Sequence, residues 1–205
     1  MKLLLEEVRE LAQKGYLQYV VNNPGHFSLF RDLENIRLIA GPWLYMFNSW
    51  ALSFVDSLGV DAFVSPLENN RQNLERTLGK EKGIRKKFFI PVFAWPPLFN
   101  IRADLGSALG LGLFADNRDE AFSLVSVPGN AGEGARVYPN QYFSITDKIP
   151  FLKEAGFRRF IIDLCGTALK KSDYRDLMRS ISENTPLPHS NRFNWKDGFF
   201  HDGNR

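Results

Sequence analysis

Glu68, Asn69, Asn70 and Arg71 follow one another directly behind Ser65-Pro66, so a carboxylate, two carboxamides and a guanidinium fall within one turn of chain. A carboxylate in such a place can orient a water or act as a general base, and a guanidinium can grip a carboxylate or phosphate through two parallel hydrogen bonds. The same residues can instead serve the backbone. Ser65 as a cap, with Glu68 three residues later, forms a capping box, which accounts for Glu68 but leaves Asn69, Asn70 and Arg71 unexplained. His26, behind the Pro24-Gly25 turn, is the best single acid–base candidate, although a lone histidine there also serves as a surface hydrogen-bonding residue.

Further candidates are Asn48, Trp95 and Asp163, each just past an apolar run. Cys165, two residues beyond Asp163, is readable as a nucleophile or as a buried free cysteine at a strand end. His189 and His201 stand too far apart for a zinc-type His pair, and neither an HExxH motif nor a GxSxG elbow nor a phosphate-binding Gly-rich loop occurs. No metal or cofactor is therefore expected.

These residues acquire meaning from the elements that carry them. Apolar residues at helical spacing predict a helix over 3–14, followed by a strand at 17–21, an Asn-Asn-Pro-Gly turn, a short helix near 27–33 and a strand at 36–40. The rhythm repeats with a helix over 46–58, a strand at 61–65, a polar helix over 67–78 and an apolar strand at 88–94. After 144–146 come a helix to 155, a strand at 160–164 and a helix over 172–183. Short apolar strands alternating with amphipathic helices predict parallel βα units, an α/β fold in which ligand sites gather at the carboxyl ends of strands. Between 106 and 139 the rhythm breaks in a glycine-rich stretch, and a β-hairpin insertion is expected near 113–138. About five core strands fall short of the eight of a closed (β/α)₈ barrel, so a TIM-barrel-like but incomplete barrel is expected. It should occupy residues 1–184, with an irregular tail, 185–205, packed on it through Phe193, Trp195, Phe199 and Phe200.

Composition limits the function classes. Of 205 residues, 44% are hydrophobic and 24% charged, which is ordinary globular usage and excludes a disordered chain. The 26 basic and 23 acidic residues nearly balance, so nucleic-acid binding gains little support even from the basic run at 80–87. A single cysteine excludes an intramolecular disulfide and fits a reducing, cytoplasmic location. No apolar run reaches the ~18 residues of a membrane span, so no membrane partner is expected.

The order of motifs resembles the peptidase U32 family, known as collagenase-like proteases. The resemblance is carried by Phe47-Asn48-Ser49, Ser57-Leu58-Gly59-Val60, Ser65-Pro66-Leu67-Glu68, Asp116-Asn117-Arg118 with Phe122-Ser123-Leu124, the run 144–152, and Glu154-Ala155-Gly156-Phe157. A strand ending in Asp163 follows, where the family usually has Glu. Residues 15–165 are covered, and more loosely the tail at Asn191-Arg192-Phe193 and Gly198-Phe199. The resemblance implies a TIM-barrel-like core lacking its opening units, hence a fragment or a chain whose barrel a protein partner completes. It further implies a peptidase-like hydrolase acting on an extended peptide or small-molecule substrate, with Glu68 in catalysis and Asn48, Asn69 and Arg71 in binding; His26 as a second catalytic candidate and Trp95 and Asp163 as binding candidates rest on their places after the strands. Relatives that hydroxylate RNA bases or quinone precursors bind an iron–sulfur cluster through several cysteines. This chain has only Cys165, and Phe93-Ala94-Trp95-Pro96-Pro97-Leu98-Phe99 stands where those cysteines would fall. An accessory half-barrel in such a complex is the alternative.

Overall fold

The computed structural model describes residues 2–78, 82–102, 110, 112–117, 119–129 and 132–190. Within them no helix is long and apolar enough to cross a membrane. The larger sheet has the strand order β1-β2-β3-β4-β10, with β9 branching from β4. Its strands are β1 (Gln18–Val21), β2 (Arg37–Ala40), β3 (Ala62–Val64), β4 (Phe88–Ala94), β9 (Phe143–Ser144) and β10 (Arg159–Ile162). β1 to β4 pair in parallel in chain order, with Val21 opposite Ala40, Ala40 opposite Phe63, and Val64 opposite Phe89. Parallel neighbours need a crossover, and the helical segments predicted between the strands supply it. A 3₁₀ helix (Pro24–Phe30) joins β1 to β2, α2 (Ser49–Asp56) joins β2 to β3, and α3 (Arg71–Leu78) with α4 (Lys82–Arg85) joins β3 to β4. The fold is therefore α/β, as the alternation of strands and helices predicts.

Contacts divide the described chain into two compact units, residues 2–91 with 151–161, and residues 92–150 with 162–190. The first cut falls inside β4 beside Pro91. β3 pairs with β4 only at Phe88 and Phe89, and β9 only at Phe93 and Ala94, so the proline, which has no N–H to donate, lies between the two ladders. Residues 191–205 of the expected tail lie outside the described residues.

In the first unit β3 is buried along its whole length, as a strand covered on both faces must be. Phe63 and Phe88 stack across β3 and β4 with centroids 5.1 Å apart, both essentially inaccessible. Ile39, Ala62 and Val64 pack with Phe89 and Ile161, and the Arg159 guanidinium lies over the Phe89 ring. α1 (Lys2–Gln13) buries Val8 against Val21, Leu29 and Phe30, with Leu4 and Leu5 beside it. Leu3 and Leu11, which the sequence pattern also places on the inner face, are exposed, because the buried stripe runs through Leu4, Leu5 and Val8 instead. Gly41, at the end of β2, allows Asn22 to lie close by, since a Cβ there would stand 2.0 Å from Asn22 Oδ1, the atom that accepts from the Trp43 N–H.

The second unit carries an antiparallel sheet of order β5-β8-β7-β6, formed by β5 (Phe99–Ile101), β6 (Gly112–Ala115), β7 (Ala121–Gly129) and β8 (Gly132–Pro139). The expected hairpin is its centre, with β7 and β8 paired from Phe122–Pro139 to Gly129–Gly132. Strands β5 and β6 extend it to four, and Leu124, Ala135 and Val137 form its buried patch. The helix expected from 144–146 begins as a 3₁₀ turn (Thr146–Lys148) and becomes α5 (Ile149–Glu154), with Pro150 in its first turn where no N–H is needed. The last helix, α6 (Lys171–Glu183), is tied in by a buried chain of hydroxyls: Ser144 Oγ to Thr146 Oγ1, Thr146 Oγ1 to Ser180 Oγ, and Ser180 Oγ donating to the Thr185 carbonyl.

Candidate functional site

The carboxyl end of β3 leads through Ser65-Pro66 into α3, which begins at Arg71, four residues later than the polar pattern predicts. The delay changes what each polar residue does. Asn70 caps α3, its Oδ1 accepting the Asn73 N–H at 2.7 Å. Ser65 caps nothing: its hydroxyl donates to the Pro66 carbonyl and accepts from Asn69 Nδ2. Asn69, only 3% exposed, passes the chain on, its Oδ1 accepting from Asn73 Nδ2 at 2.7 Å. Ser65, Asn69 and Asn73 thus form a ladder at four-residue spacing that fixes the first turn of α3. Glu68 belongs to neither device. It is half-buried and makes no hydrogen bond or ion pair among the described residues.

Glu68 lines a concavity of about 260 Å³ with Phe47, Asn70, Asn73 and Arg76. The Phe47 wall comes from the segment after β2. A 3₁₀ turn (Pro42–Leu44) ends at Tyr45, whose left-handed backbone, φ 49°, is uncommon for a residue with a side chain. That turn stacks the Tyr45 ring on Phe47 at 5.8 Å and sets Trp43 edge-on to it. Thr77 Oγ1 on α3 donates to the Phe47 carbonyl at 2.9 Å and ties the two walls together. Burial raises the Tyr45 phenol above its ordinary range, and the nearby Glu68 charge adds to the rise. The arrangement offers a carboxylate in a concavity that it shares with the Phe47 ring, the carboxamides of Asn69, Asn70 and Asn73, and the exposed Arg76.

The other candidates distribute differently. Asn48 is the N-cap of α2, with extended backbone and its side chain accepting from the Ala51 N–H at 2.9 Å. His26 lies half-buried in the 3₁₀ helix after β1 and is not among the residues lining the concavity. The Arg71 backbone opens α3, and its side chain lies outside the described residues. Trp95 and Asp163 belong to the second unit. Trp95 stacks on Tyr138 at 4.4 Å and donates its indole N–H to the Pro139 carbonyl. Asp163 accepts the Cys165 N–H at 2.9 Å.

Cys165 is exposed rather than buried at the strand end, and the hydrogen bond and charge of Asp163 push its thiol above the ordinary range. A raised thiol is a poor nucleophile. Asp163→Asn should therefore accelerate alkylation of Cys165 by iodoacetamide at pH 8 about severalfold, read by mass spectrometry against time. An unchanged rate would show that Asp163 does not govern the thiol.

The sequence reading did not single out Tyr45, Asn73 and Arg76. A signal existed for two of them: Asn73 and Arg76 stand three residues apart on α3, in helical register with Asn69 before it. A second concavity, about 370 Å³, lies in the other unit beside Phe93, Tyr142, Asp173 and Asp176. Its carboxylates are engaged, Asp173 by the Lys170 N–H and Asp176 by Arg179. Among the described residues no group of three or more His, Cys, Asp or Glu is placed to hold a metal ion. Compared with models of protein families, with curated proteins and with solved structures, the chain finds no match.

Proposed function

We propose that this chain is a U32-type, peptidase-like hydrolase that takes an extended peptide at the carboxyl ends of β2 and β3, with Glu68 as the acid–base residue. The observation that carries the reading is the carboxylate of Glu68: half-buried, in a concavity, and engaged neither in a cap nor in an ion pair among the described residues. A carboxylate so placed can hold a water by hydrogen bonds and remove its proton as it attacks a carbonyl. The motif order of the sequence and the chain-order parallel strands β1 to β4 support a (β/α)-barrel-like frame for that site. The test is cleavage of gelatin and short peptides by the purified chain beside Glu68→Gln. Cleavage abolished in the variant supports the role; no cleavage by either protein, or equal cleavage by both, removes it.

A second reading, an accessory half-barrel that pairs with another chain, is favoured by the ends of the larger sheet. β1 and β10 are its terminal strands, and Val20 on β1 is 53% exposed. An uncovered strand edge is a template for pairing with another chain. Light scattering on the eluting protein should then give a mass above that of one chain, either alone or with a co-purified partner. A monomer at high concentration that retains cleavage activity counts against it.

A further inference from the structure

The hydrogen bonds that hold one wall of the concavity also decide which atoms it offers. The Ser65 hydroxyl spends its hydrogen on the Pro66 carbonyl, so it can only accept from Asn69, which therefore presents its NH₂ group to Ser65. The Asn69 oxygen is then left for Asn73, which must present its own NH₂ and keep its oxygen unused. Asn70 is fixed independently. A backbone N–H can only donate, so the bond from the Asn73 N–H consumes the Asn70 oxygen and leaves the Asn70 NH₂. Neither Asn70 Nδ2 nor Asn73 Oδ1 has a partner among the described residues, and both residues line the concavity.

We infer that this pair recognises an amide group, Asn70 Nδ2 donating to the ligand carbonyl and Asn73 Oδ1 accepting from the ligand N–H. An amide supplies both partners at once. A carboxylate has no hydrogen for Asn73, and an ammonium has no acceptor for Asn70. Because both side chains are held by the backbone and by the buried Asn69, little ordering is required when the ligand arrives. The inference rests on the reading of this concavity as the substrate site and adds to it the group that is recognised, either a peptide unit of the main chain or a glutamine-type side chain.

The test uses the full chain with three capped amino acids, N-acetyl-glutamine amide, N-acetyl-glutamate amide and N-acetyl-norleucine amide, with affinities read by NMR titration. Asn70→Asp keeps an oxygen for the Asn73 N–H, removes the donor and adds a negative charge that favours the start of α3 and repels a ligand carbonyl. The variant should weaken the glutamine probe by about tenfold or more, since a donor is lost opposite a desolvated carbonyl. Binding of the glutamine probe about tenfold above the norleucine probe identifies the side-chain amide; similar binding of all three identifies the main chain. The Asn70 side-chain NH₂ resonances of the unaltered protein should shift on binding, which answers the question even if the variant does not fold. The inference is overturned if no probe binds, if Asn70→Asp binds the glutamine probe as well as the unaltered protein, or if the glutamate probe binds more tightly than the glutamine one. Gelatin cleavage that ignores Asn70→Asp would remove the amide pair and leave the hydrolase reading. Probe binding without cleavage would do the reverse.

Discussion

Glu68→Gln is expected to lower the rate of peptide cleavage by about a hundredfold or more while leaving the fold intact, because general-base catalysis contributes roughly 10²–10⁴. The substitution preserves shape and removes only the charge. Since Glu68 makes no hydrogen bond or ion pair among the described residues, none of those is lost, and the melting temperature should stay within about 2 °C of the original, as at sites free of special interactions. A carboxylate kept for stability would behave oppositely, with a lowered melting temperature and a modest change in rate. A second readout belongs to the same variant. Burial and the Glu68 charge together raise the Tyr45 phenol, so removing the charge should bring its titration to lower pH, followed through the ring resonances of Tyr45. A Tyr45 titration that does not move would mean that the two groups do not face each other.

Phe63→Ala should cost about 3–5 kcal/mol, the range for deleting a buried aromatic side chain. Phe63 is fully buried, stacks on Phe88 with planes 20° apart, and sits one residue before Val64 at the end of β3. Against a typical total of about 5–15 kcal/mol this is a large fraction, and at about 2–4 °C per kcal/mol the melting temperature should fall by roughly 6–20 °C. Cleavage should be lost as the chain melts rather than at low temperature, because Ser65 and the carboxamide ladder hang on the end of that strand. Circular dichroism melts of Phe63→Ala and Phe63→Leu, with the Leu variant less affected, check the expectation. Equal melts for all three proteins would mean that the stacked pair is not part of the core.

The strands were legible because burial on both faces leaves an unbroken apolar run. Residues 88–94 form a strand with the boundaries read from sequence, and the insertion near 113–138 was recognisable from its glycines and its alternating Phe122-Ser123-Leu124 pattern. The start of α3 was not legible, because Ser65, Asn69 and Asn70 are all good caps and local propensity does not choose among them. The choice follows from burial: Asn69, beneath the surface, is drawn to Ser65 and Asn73, and Asn70 is left to cap. Asn48 shows the same ambiguity from the other side. In sequence it stands out as a carboxamide past a strand, and in three dimensions it has a cap's backbone and a cap's hydrogen bond. Tyr45 left no signal at all, since a left-handed tyrosine after Pro42-Trp43-Leu44 follows from the turn and not from its residue type.

Hydrogen exchange of the intact Glu68→Gln chain, with and without a saturating collagen-type peptide, tests most directly where substrate binds. Slowed amide exchange around Phe47 and over residues 68–76 is the predicted result, since Phe47 and the side chains of that segment line the Glu68 concavity. Slowing confined to residues 93–95 and 140–142, or no slowing anywhere, would contradict it.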